Sequence, residues 1–171
     1  MPLPMRWGNV DLKFIRPIHS LFAACGKKLV KFELGGIKSD SQIYGHRYHN
    51  GGKPIKISLK KGIDINAYKK ILLRHGVILD QGERKAKVIS EVKRASLKIG
   101  NPLVEEDLLN EANNLVENPV AVSGKFKKEY LILPKEILIT TMKKNQKYFP
   151  ILDKKKNLLP NFVVDKDGLD K

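Results

Sequence analysis

Three lysines and two aromatic residues stand close together near the C-terminal end of the chain. Lys143, Lys144 and Lys147 precede Tyr148 and Phe149 in the stretch LPKEILITTMKKNQKYFP. Two of the lysines are four residues apart, so they share one face of a helix. Ammonium groups bind phosphates, and a tyrosine ring stacks on a base or a ribose. The stretch predicts a contact with nucleic acid; the alternative is that the aromatic residues begin a core strand and the lysines are only solvated.

A second basic face lies on the helix that the stretch DQGERKAKVISEVKRASLKIG predicts. Its cations are Arg84, Lys85, Lys87, Lys93, Arg94 and Lys98. We include Arg84 and Lys85 among the candidate RNA-binding residues, because clustered cations on one helix face are the electrostatic signature of such a surface. A face that is merely solvated remains the alternative.

The stretch GHRYH contains two histidines and an arginine. His46 and His49 could suggest metal or acid–base chemistry, but zinc sites need three or four ligands. The first carboxylate downstream is Asp64. We therefore predict no metal site here, and we favour a structural loop that presents Arg47 to an anion.

Catalytic motifs are absent from the sequence. None of the patterns GxSxG, HExxH and GxxxxGK[ST] occurs. His19 and His75 are interpreted as packed or capping histidines. Cys25 is the single cysteine, which excludes an internal disulfide, and we predict it to be a small core residue in the apolar run SLFAACG. These patterns favour a chain without catalytic residues and without a cofactor of its own.

The formal net charge of +15 over 171 residues favours a polyanionic partner. Residues 99–118 interrupt this excess with five acidic residues and no basic one. That block predicts either a solvated helix face or a contact for a basic surface. No apolar run approaches the ~20 residues of a membrane span, and the N-terminus lacks the layout of a signal peptide. We expect a cytoplasmic protein with no membrane partner.

The elements that must position these residues alternate between strands and helices. Period-two apolar patterns predict half-buried strands at Val30, Phe32 and Leu34 and again at Ile55, Ile57 and Leu59. Gly35-Gly36 breaks or bulges the first of these strands. Helical spacing follows over INAYKKILLRHG, and the next helix directs Ala86, Ile89, Val92 (or Lys93) and Leu97 to one side.

The second half of the chain continues the alternation. A third helix begins at the acidic cluster Glu105–Asp107, and a fourth begins at Pro134. VAVSG and KEYLILP are predicted strands, and a final hairpin turns at residues 153–157. The whole is an α+β (mixed α/β) fold, with mixed sheets flanked by about four helices. We expect a single domain over residues 1–171, with a disordered tail at 165–171.

Several strings in one order resemble a known family. They are MRWGNVDLKFIRPIHSL, GIKSDSQIYGHRYH, VILDQGERKAKV, NLVENPVAVSGKF and LPKEILITTMKKNQKYFPILD. Together they resemble the β subunit of the bacterial glycyl-tRNA synthetase of the two-subunit α2β2 type. The resemblance implies an internal part of the N-terminal half of a longer, multidomain β subunit, in a region similar to B3/B4 domains.

The resemblance also implies a division of labour. The α subunit of the family makes glycyl-adenylate from glycine and ATP, with Mg²⁺, while the β subunit contributes tRNA recognition. The implied partners are tRNA(Gly), the α subunit in an α2β2 heterotetramer and the remaining β-subunit domains. The isolated segment is expected to be inactive.

Two other roles stay open at this point. One is hydrolytic editing of mischarged tRNA, which B3/B4 domains host in a related synthetase; a glycine pocket excludes larger amino acids sterically, so the need to edit is weak. The other is a purely architectural role in which the acidic helix 105–117 docks a neighbouring domain or the α subunit.

Overall fold

The computed structural model describes residues 5–6, 9, 13–14 and 18–168. The chain divides into two compact units, Met1–His75 and Gly76–Lys171, here called unit 1 and unit 2. The expectation that residues 1–171 act as a single domain stays a prediction.

Unit 1 is built from short antiparallel hairpins and a helix. Its described elements are β1 (Met5–Arg6), β2 (Lys13–Phe14), β3 (Ala24–Cys25), β4 (Lys28–Leu29), β5 (Glu33–Leu34), β6 (Ile37–Lys38), β7 (Gln42–Tyr44), β8 (Pro54–Lys56) and α1 (Ile65–Arg74). Each odd-numbered strand pairs with the next along the chain. Gly35 and Gly36 have φ of 60° and 79° and form a tight turn between β5 and β6. This turn reverses the chain where we predicted an interrupted strand.

Two burial predictions for unit 1 are wrong. Val30, Phe32 and Leu34 are 41–45% exposed, because the chain turns back after β5 and forms only a two-residue ladder. Cys25 is also exposed, since successive strand residues point to opposite faces and Ala24 takes the more buried one. In contrast, the prediction for the next strand holds at its centre, where Ile57 is buried.

Helix α1 lies in the predicted stretch and ends before Gly76, as predicted. The Asp64 carboxylate caps its N-terminus by accepting a hydrogen bond of 2.7 Å from the Ala67 N–H. His75 is the C-cap residue, and Gly76 follows with a φ of 78°. Within unit 1 the Tyr68 ring stacks on the Phe22 ring at 5.7 Å between centroids. This contact packs α1 against the segment that leads into β3.

Unit 2 is a four-stranded antiparallel sheet with helices. Its elements are α2 (Gln81–Ser96), β9 (Asn101–Pro102), α3 (Glu106–Leu115), β10 (Pro119–Lys125), a 3-10 helix (Lys128–Ile132), α4 (Lys135–Thr140), a π-helix (Thr141–Gln146), β11 (Tyr148–Leu152) and β12 (Leu158–Asp167). The strand order is β10-β12-β11-β9. The α+β class is confirmed. The named sheets are antiparallel rather than mixed, and a single-residue bridge from Leu21 to Ser39 is the parallel pairing among the described residues.

Helix α2 packs on β10, β12 and α3 with a face that matches the predicted one in part, because Val92 is buried and Ile89 packs against the core. Val88, Val92 and Ser96 are buried, whereas Leu97 is 81% exposed and Ala86 is exposed as well. The helix carries two overlapping apolar stripes, and the period alone does not choose between them. Packing against the sheet buries the stripe that ends in the small Ser96.

The core of unit 2 lies between the sheet and its helices. Its buried members include Val88, Val92, Leu108, Leu109, Ala112, Ala121, Phe149, Ile151 and Val163. Phe149 and Ile151 are fully buried on β11. The prediction that the aromatic pair begins a core strand is therefore confirmed for Phe149. None of the helices in the described part of the chain has the length and apolarity needed to cross a bilayer.

Three predictions for the end of the chain have mixed outcomes. The stretch KEYLILP forms the 3-10 helix and its flanks rather than a strand, because short turns such as Tyr130 N–H to Lys127 C=O replace a ladder. The final hairpin is confirmed, and the Asp153 carboxylate holds its turn by accepting from the N–H groups of Lys155 and Asn157. The predicted disordered tail is wrong for residues 165–167, which belong to β12; residues 169–171 lie outside the described residues.

Candidate nucleic-acid interface

The lysines at the end of the fourth helix meet the acidic residues of α3. Lys143 forms an ion pair with Glu105, and Lys147 forms one with Glu111 at 2.5 Å. Lys144 is exposed and lines the same small cavity, about 200 Å³, as these carboxylates. We call these five residues, Glu105, Glu111, Lys143, Lys144 and Lys147, the charge seam. Lys147 lies beyond the helical segment in a left-handed conformation, so it does not share one α-helical face with Lys143 as predicted. Both lysines nevertheless meet carboxylates of the same unit, which neutralise much of their charge.

A break in helical geometry places these lysines. The i→i+5 turns of Thr141–Gln146 follow α4, and Lys147 ends them with a φ of 57° and a ψ of 36°. This left-handed conformation is uncommon for lysine. It reverses the chain directly before β11. Phe149, two residues after Lys147, is then buried in the core.

Arg84 and Lys85 also serve the fold of unit 2. The Arg84 guanidinium donates to the carbonyl oxygens of Ile78 at 2.7 Å and Asn113 at 3.0 Å. Lys85 pairs with Glu106 in the first turn of α3, and it holds the pKa of that carboxyl below its usual range. These two cations tie α2 to α3, and their predicted contact with RNA stays a prediction.

Tyr148 is half-buried and stacked. Its ring lies parallel to that of Phe162 on the neighbouring strand, at 4.3 Å between centroids and 4° between planes. One face of the tyrosine is therefore occupied within the sheet. Stacking on a base could use only the other face, and Tyr148 and Phe162 both line an apolar groove.

The GHRYH stretch is a clamped loop that presents its centre outward. Within unit 1, the His46 N–H donates to the His75 carbonyl at 2.9 Å, and the His46 Nδ1 accepts from the His49 N–H. A Cβ on Gly45 would come within 2.6 Å of the His75 Cβ, so this approach requires glycine. Arg47 and Tyr48 are exposed between these anchors. The interpretation of a structural loop is supported, and the role of Arg47 stays a prediction.

Reversing the charges of Lys143, Lys144 and Lys147 is expected to destabilise unit 2. A loss of RNA binding in such a variant would therefore not by itself identify an interface. Lys143→Glu and Lys147→Glu place carboxylates against Glu105 and Glu111, so we expect the triple variant to lose about 1–2 kcal/mol of unfolding free energy. Lys144→Gln is expected to change stability by less than about 0.5 kcal/mol. Thermal unfolding of the two variants checks this. Equal melting temperatures would mean that the charge seam contributes nothing to stability.

An apolar groove of about 330 Å³ opens beside the 3-10 helix of unit 2. Its lining includes Phe126, Tyr130, Leu133, Ile137, Met142 and Phe162. The adjoining surface is apolar as well, since Ile132 is 91% exposed and Ile137 is 55% exposed. A contiguous apolar patch of this kind is typical of a surface that another polypeptide covers.

Positive charge is distributed unevenly between the units. Residues 1–75 carry 15 basic and 4 acidic side chains, a formal net charge of +11, whereas residues 76–171 carry 18 and 14, a net charge of +4. Exposed cations of unit 1 include Lys27, Lys28, Lys31, Lys38, Arg47, Lys53, Lys56, Lys60, Lys61, Lys70 and Arg74. The candidate residues selected from sequence lie in unit 2 except for Arg47, so they include only one of the cations in the unit where the excess charge lies.

Two of these missed cations, Lys56 and Lys60, had a readable signal. In KPIKISLK, the residues Lys56, Ser58 and Lys60 alternate with the apolar residues and therefore share the opposite strand face. The structure places Lys56 and Lys60 with Lys27 around one cavity. Lys27 follows the turn glycine Gly26 and is 29 residues before Lys56, so sequence spacing could not have joined them.

Comparison with known proteins identifies the kind of subunit that carries these features. The family model described as glycyl-tRNA synthetase beta subunit matches residues 1–171. Curated relatives named glycine–tRNA ligase beta subunit are 39% identical over 98% of this chain in Listeria welshimeri and 42% identical over 95% in Salmonella choleraesuis. A third, from Halothermothrix orenii, is 37% identical over 99%.

By name the relatives are beta subunits of glycine–tRNA ligases, which are aminoacyl-tRNA synthetases, and they are much longer than this sequence. The matched region makes up 23% of the Listeria and Salmonella proteins and 24% of the Halothermothrix protein. The chain belongs to the glycyl-tRNA synthetase β-subunit family. The resemblance recognised in the sequence is thereby confirmed.

Proposed function

We propose that this chain is a tRNA-binding and scaffold part of a glycine–tRNA ligase β subunit. The observation that carries the proposal is the concentration of charge in unit 1, at +11 over 75 residues. In unit 2, ion pairs with carboxylates of the same unit neutralise Lys85, Lys143 and Lys147. Unit 1 is therefore the main source of the positive potential that attracts a polyanion. Phosphate contacts of this kind position an RNA and carry no sequence information by themselves.

The proposed partners follow from the family. They are tRNA(Gly), the α subunit in an α2β2 assembly and the remaining domains of the β subunit. In this proposal glycine activation with ATP and Mg²⁺ takes place on the α subunit in the cytoplasm, and the present chain is inactive alone. The absence of a catalytic motif in its sequence agrees with this division.

The test compares two sets of five Lys→Gln changes in the full β subunit assembled with the α subunit. The unit 1 variant changes Lys28, Lys31, Lys38, Lys53 and Lys70; the control variant changes Lys93, Lys98, Lys154, Lys155 and Lys156. We expect the unit 1 variant to bind tRNA(Gly) about tenfold or more weakly near 0.1 M salt, with a shallower salt dependence. Equal affinities of the two variants would contradict the proposal.

The apolar groove favours a scaffold role alongside RNA binding. We propose that its occupant is another segment of the same β subunit, because the matched region is only about a quarter of the relatives' length. The acidic helix, which was the alternative docking surface, already receives Lys85, Lys143 and Lys147. It therefore offers less free charge to a partner than its sequence suggested.

Aspartate substitutions in the full-length β subunit test this role. Ile132→Asp is expected to lower the melting temperature and to raise hydrogen exchange around the groove, because it would bury a charge against the occupant. Leu97→Asp is the matched control, since Leu97 is 81% exposed on α2. If both variants behave like the wild type, the groove is open to solvent and the scaffold proposal for it is wrong.

A further inference from the structure

A cavity of about 610 Å³ in unit 1 is lined by three lysines and two serines. The lysines are Lys27, Lys56 and Lys60, and the serines are Ser41 and Ser58. We call this cavity the lysine cleft. Its volume falls in the range of about 300–1,000 Å³ that is usual for ligand sites, so it is large enough for a short segment of a nucleic-acid backbone.

Local structure fixes the lysines around the cleft. The Ile57 N–H donates to the Ser41 carbonyl at 2.7 Å, which extends the β7–β8 pairing, and Ile57 itself is buried. The chain then turns, with the Gly62 N–H bonded to the Leu59 carbonyl at 3.0 Å. Lys56 ends β8 and Lys60 lies in this turn, and both line the cleft.

The third lysine comes from a separate turn that lies against this one. A Cβ on Gly62 would be 3.4 Å from the Gly26 carbonyl oxygen and 3.9 Å from Lys27 Cγ. The β3–β4 turn and the turn at 59–62 are thus in van der Waals contact. Two segments that are distant in sequence converge with cations on both.

The charges in the cleft are not balanced. Among the described residues no carboxylate forms an ion pair with any of the three ammonium groups, in contrast to the lysines of the charge seam. The nearby Asp40 carboxylate accepts hydrogen bonds from the backbone N–H and the hydroxyl of Ser41. Neighbouring like charges repel each other, and an anion bound between them removes that repulsion.

We propose that the lysine cleft binds the phosphodiester backbone of RNA, with the ammonium groups on two neighbouring phosphates and the Ser58 hydroxyl as an additional donor. Lysine is a point charge that binds phosphate without reading the base. The cleft accordingly holds tRNA in place independently of sequence. This inference rests on the proposed function of unit 1 and gives it a defined site.

The first experiment measures tRNA(Gly) binding to the α–β complex over a salt series. The cleft variant carries Lys27→Gln, Lys56→Gln and Lys60→Gln; the control carries Lys154→Gln, Lys155→Gln and Lys156→Gln, with the same loss of charge. We expect the cleft variant alone to bind about tenfold more weakly and its salt slope to fall by about 2, as the loss of two phosphate contacts requires. A cleft variant that matches the control overturns the inference.

The outcomes separate the site from the wider proposal. If the five-lysine unit 1 variant binds weakly while the cleft variant binds normally, the proposed function stands and the lysine cleft is not its site. If neither variant loses affinity, both are wrong. Lysine acylation followed by mass spectrometry distinguishes the ligand source: tRNA should protect Lys27, Lys56 and Lys60, and ATP at the same phosphate concentration should not. Protection by ATP alone would assign the cleft to free nucleotide instead.

Discussion

Phe149→Ala is expected to lower the free energy of unfolding by about 3–5 kcal/mol, which makes it the most damaging single change in unit 2 that we predict. Phe149 is fully buried on β11 and packs in the cluster that contains Val92, Ile151 and Val163. Truncation removes the burial of the ring and leaves a cavity that the surrounding sheet and helix cannot close completely. Denaturant unfolding followed by circular dichroism measures the loss.

Two controls separate packing from general sensitivity of this region. Phe149→Leu keeps most of the volume and is expected to cost less than about 1.5 kcal/mol. Ile137→Ala removes an apolar side chain that is 55% exposed nearby, and is expected to be within about 0.5 kcal/mol of the wild type. A Phe149→Ala protein as stable as the Ile137→Ala protein would show that β11 is not a core strand.

Asp165→Asn is expected to stabilise the protein above pH 7. Asp165 lies on β12, and neither of its carboxylate oxygens forms a hydrogen bond within the described residues. Burial above all, together with the nearby carboxylates of Asp167 and Glu91, raises the pKa of Asp165 to about 7. The Lys87 ammonium acts in the opposite direction and is outweighed. The folded protein therefore holds a proton that the unfolded chain releases near pH 3.8.

The sign of the pH dependence follows from this difference. Because the folded-state pKa of Asp165 is above its unfolded value, its favourable contribution is complete below about pH 4 and is lost as the pH rises through about 7. Asparagine removes that loss, so we expect a gain on the order of 2 kcal/mol at pH 8, after allowance for partial solvent screening, and little change at pH 4.

Asp153→Asn is the matched control with the opposite sign. Backbone and side-chain hydrogen bonds from Asn157 and a backbone bond from Lys155 hold the pKa of the Asp153 carboxyl below its usual value. Its ionised form therefore supports the β11–β12 turn, and asparagine should destabilise the protein at neutral pH. Melting temperatures of both variants from pH 4 to pH 8 provide the comparison. A parallel shift of both variants would contradict the assignment for Asp165.

The sequence predicted elements best where end signals and period agreed. The glycine after α1 and the turn at residues 153–157 each have a local physical cause, and each is found as expected. The face of an element that becomes buried was harder to predict from the sequence, as α2 shows. The choice between its two apolar stripes depends on the sheet that covers it, and that contact is made by residues far away in the chain.

The charged residues show the same limit more sharply. Lys143 and Lys147 were identified by local spacing, but their partners Glu105 and Glu111 are 38 and 36 residues earlier. Sequence spacing predicts that two cations share a face, and it does not report which groups they meet. The same reason explains why Lys27 was not associated with Lys56, because their convergence depends on two separate turns.

The π-helical segment Thr141–Gln146 has a consequence for chain length. A π turn accommodates one residue more than an α turn of the same segment, and such bulges correspond to single-residue insertions in a helix. A homologue that lacks one residue here can therefore continue as a regular α-helix and still deliver its aromatic residue to the core position of Phe149. We expect insertions and deletions among family members to concentrate in these six positions, while the register of β11 on β12 stays the same.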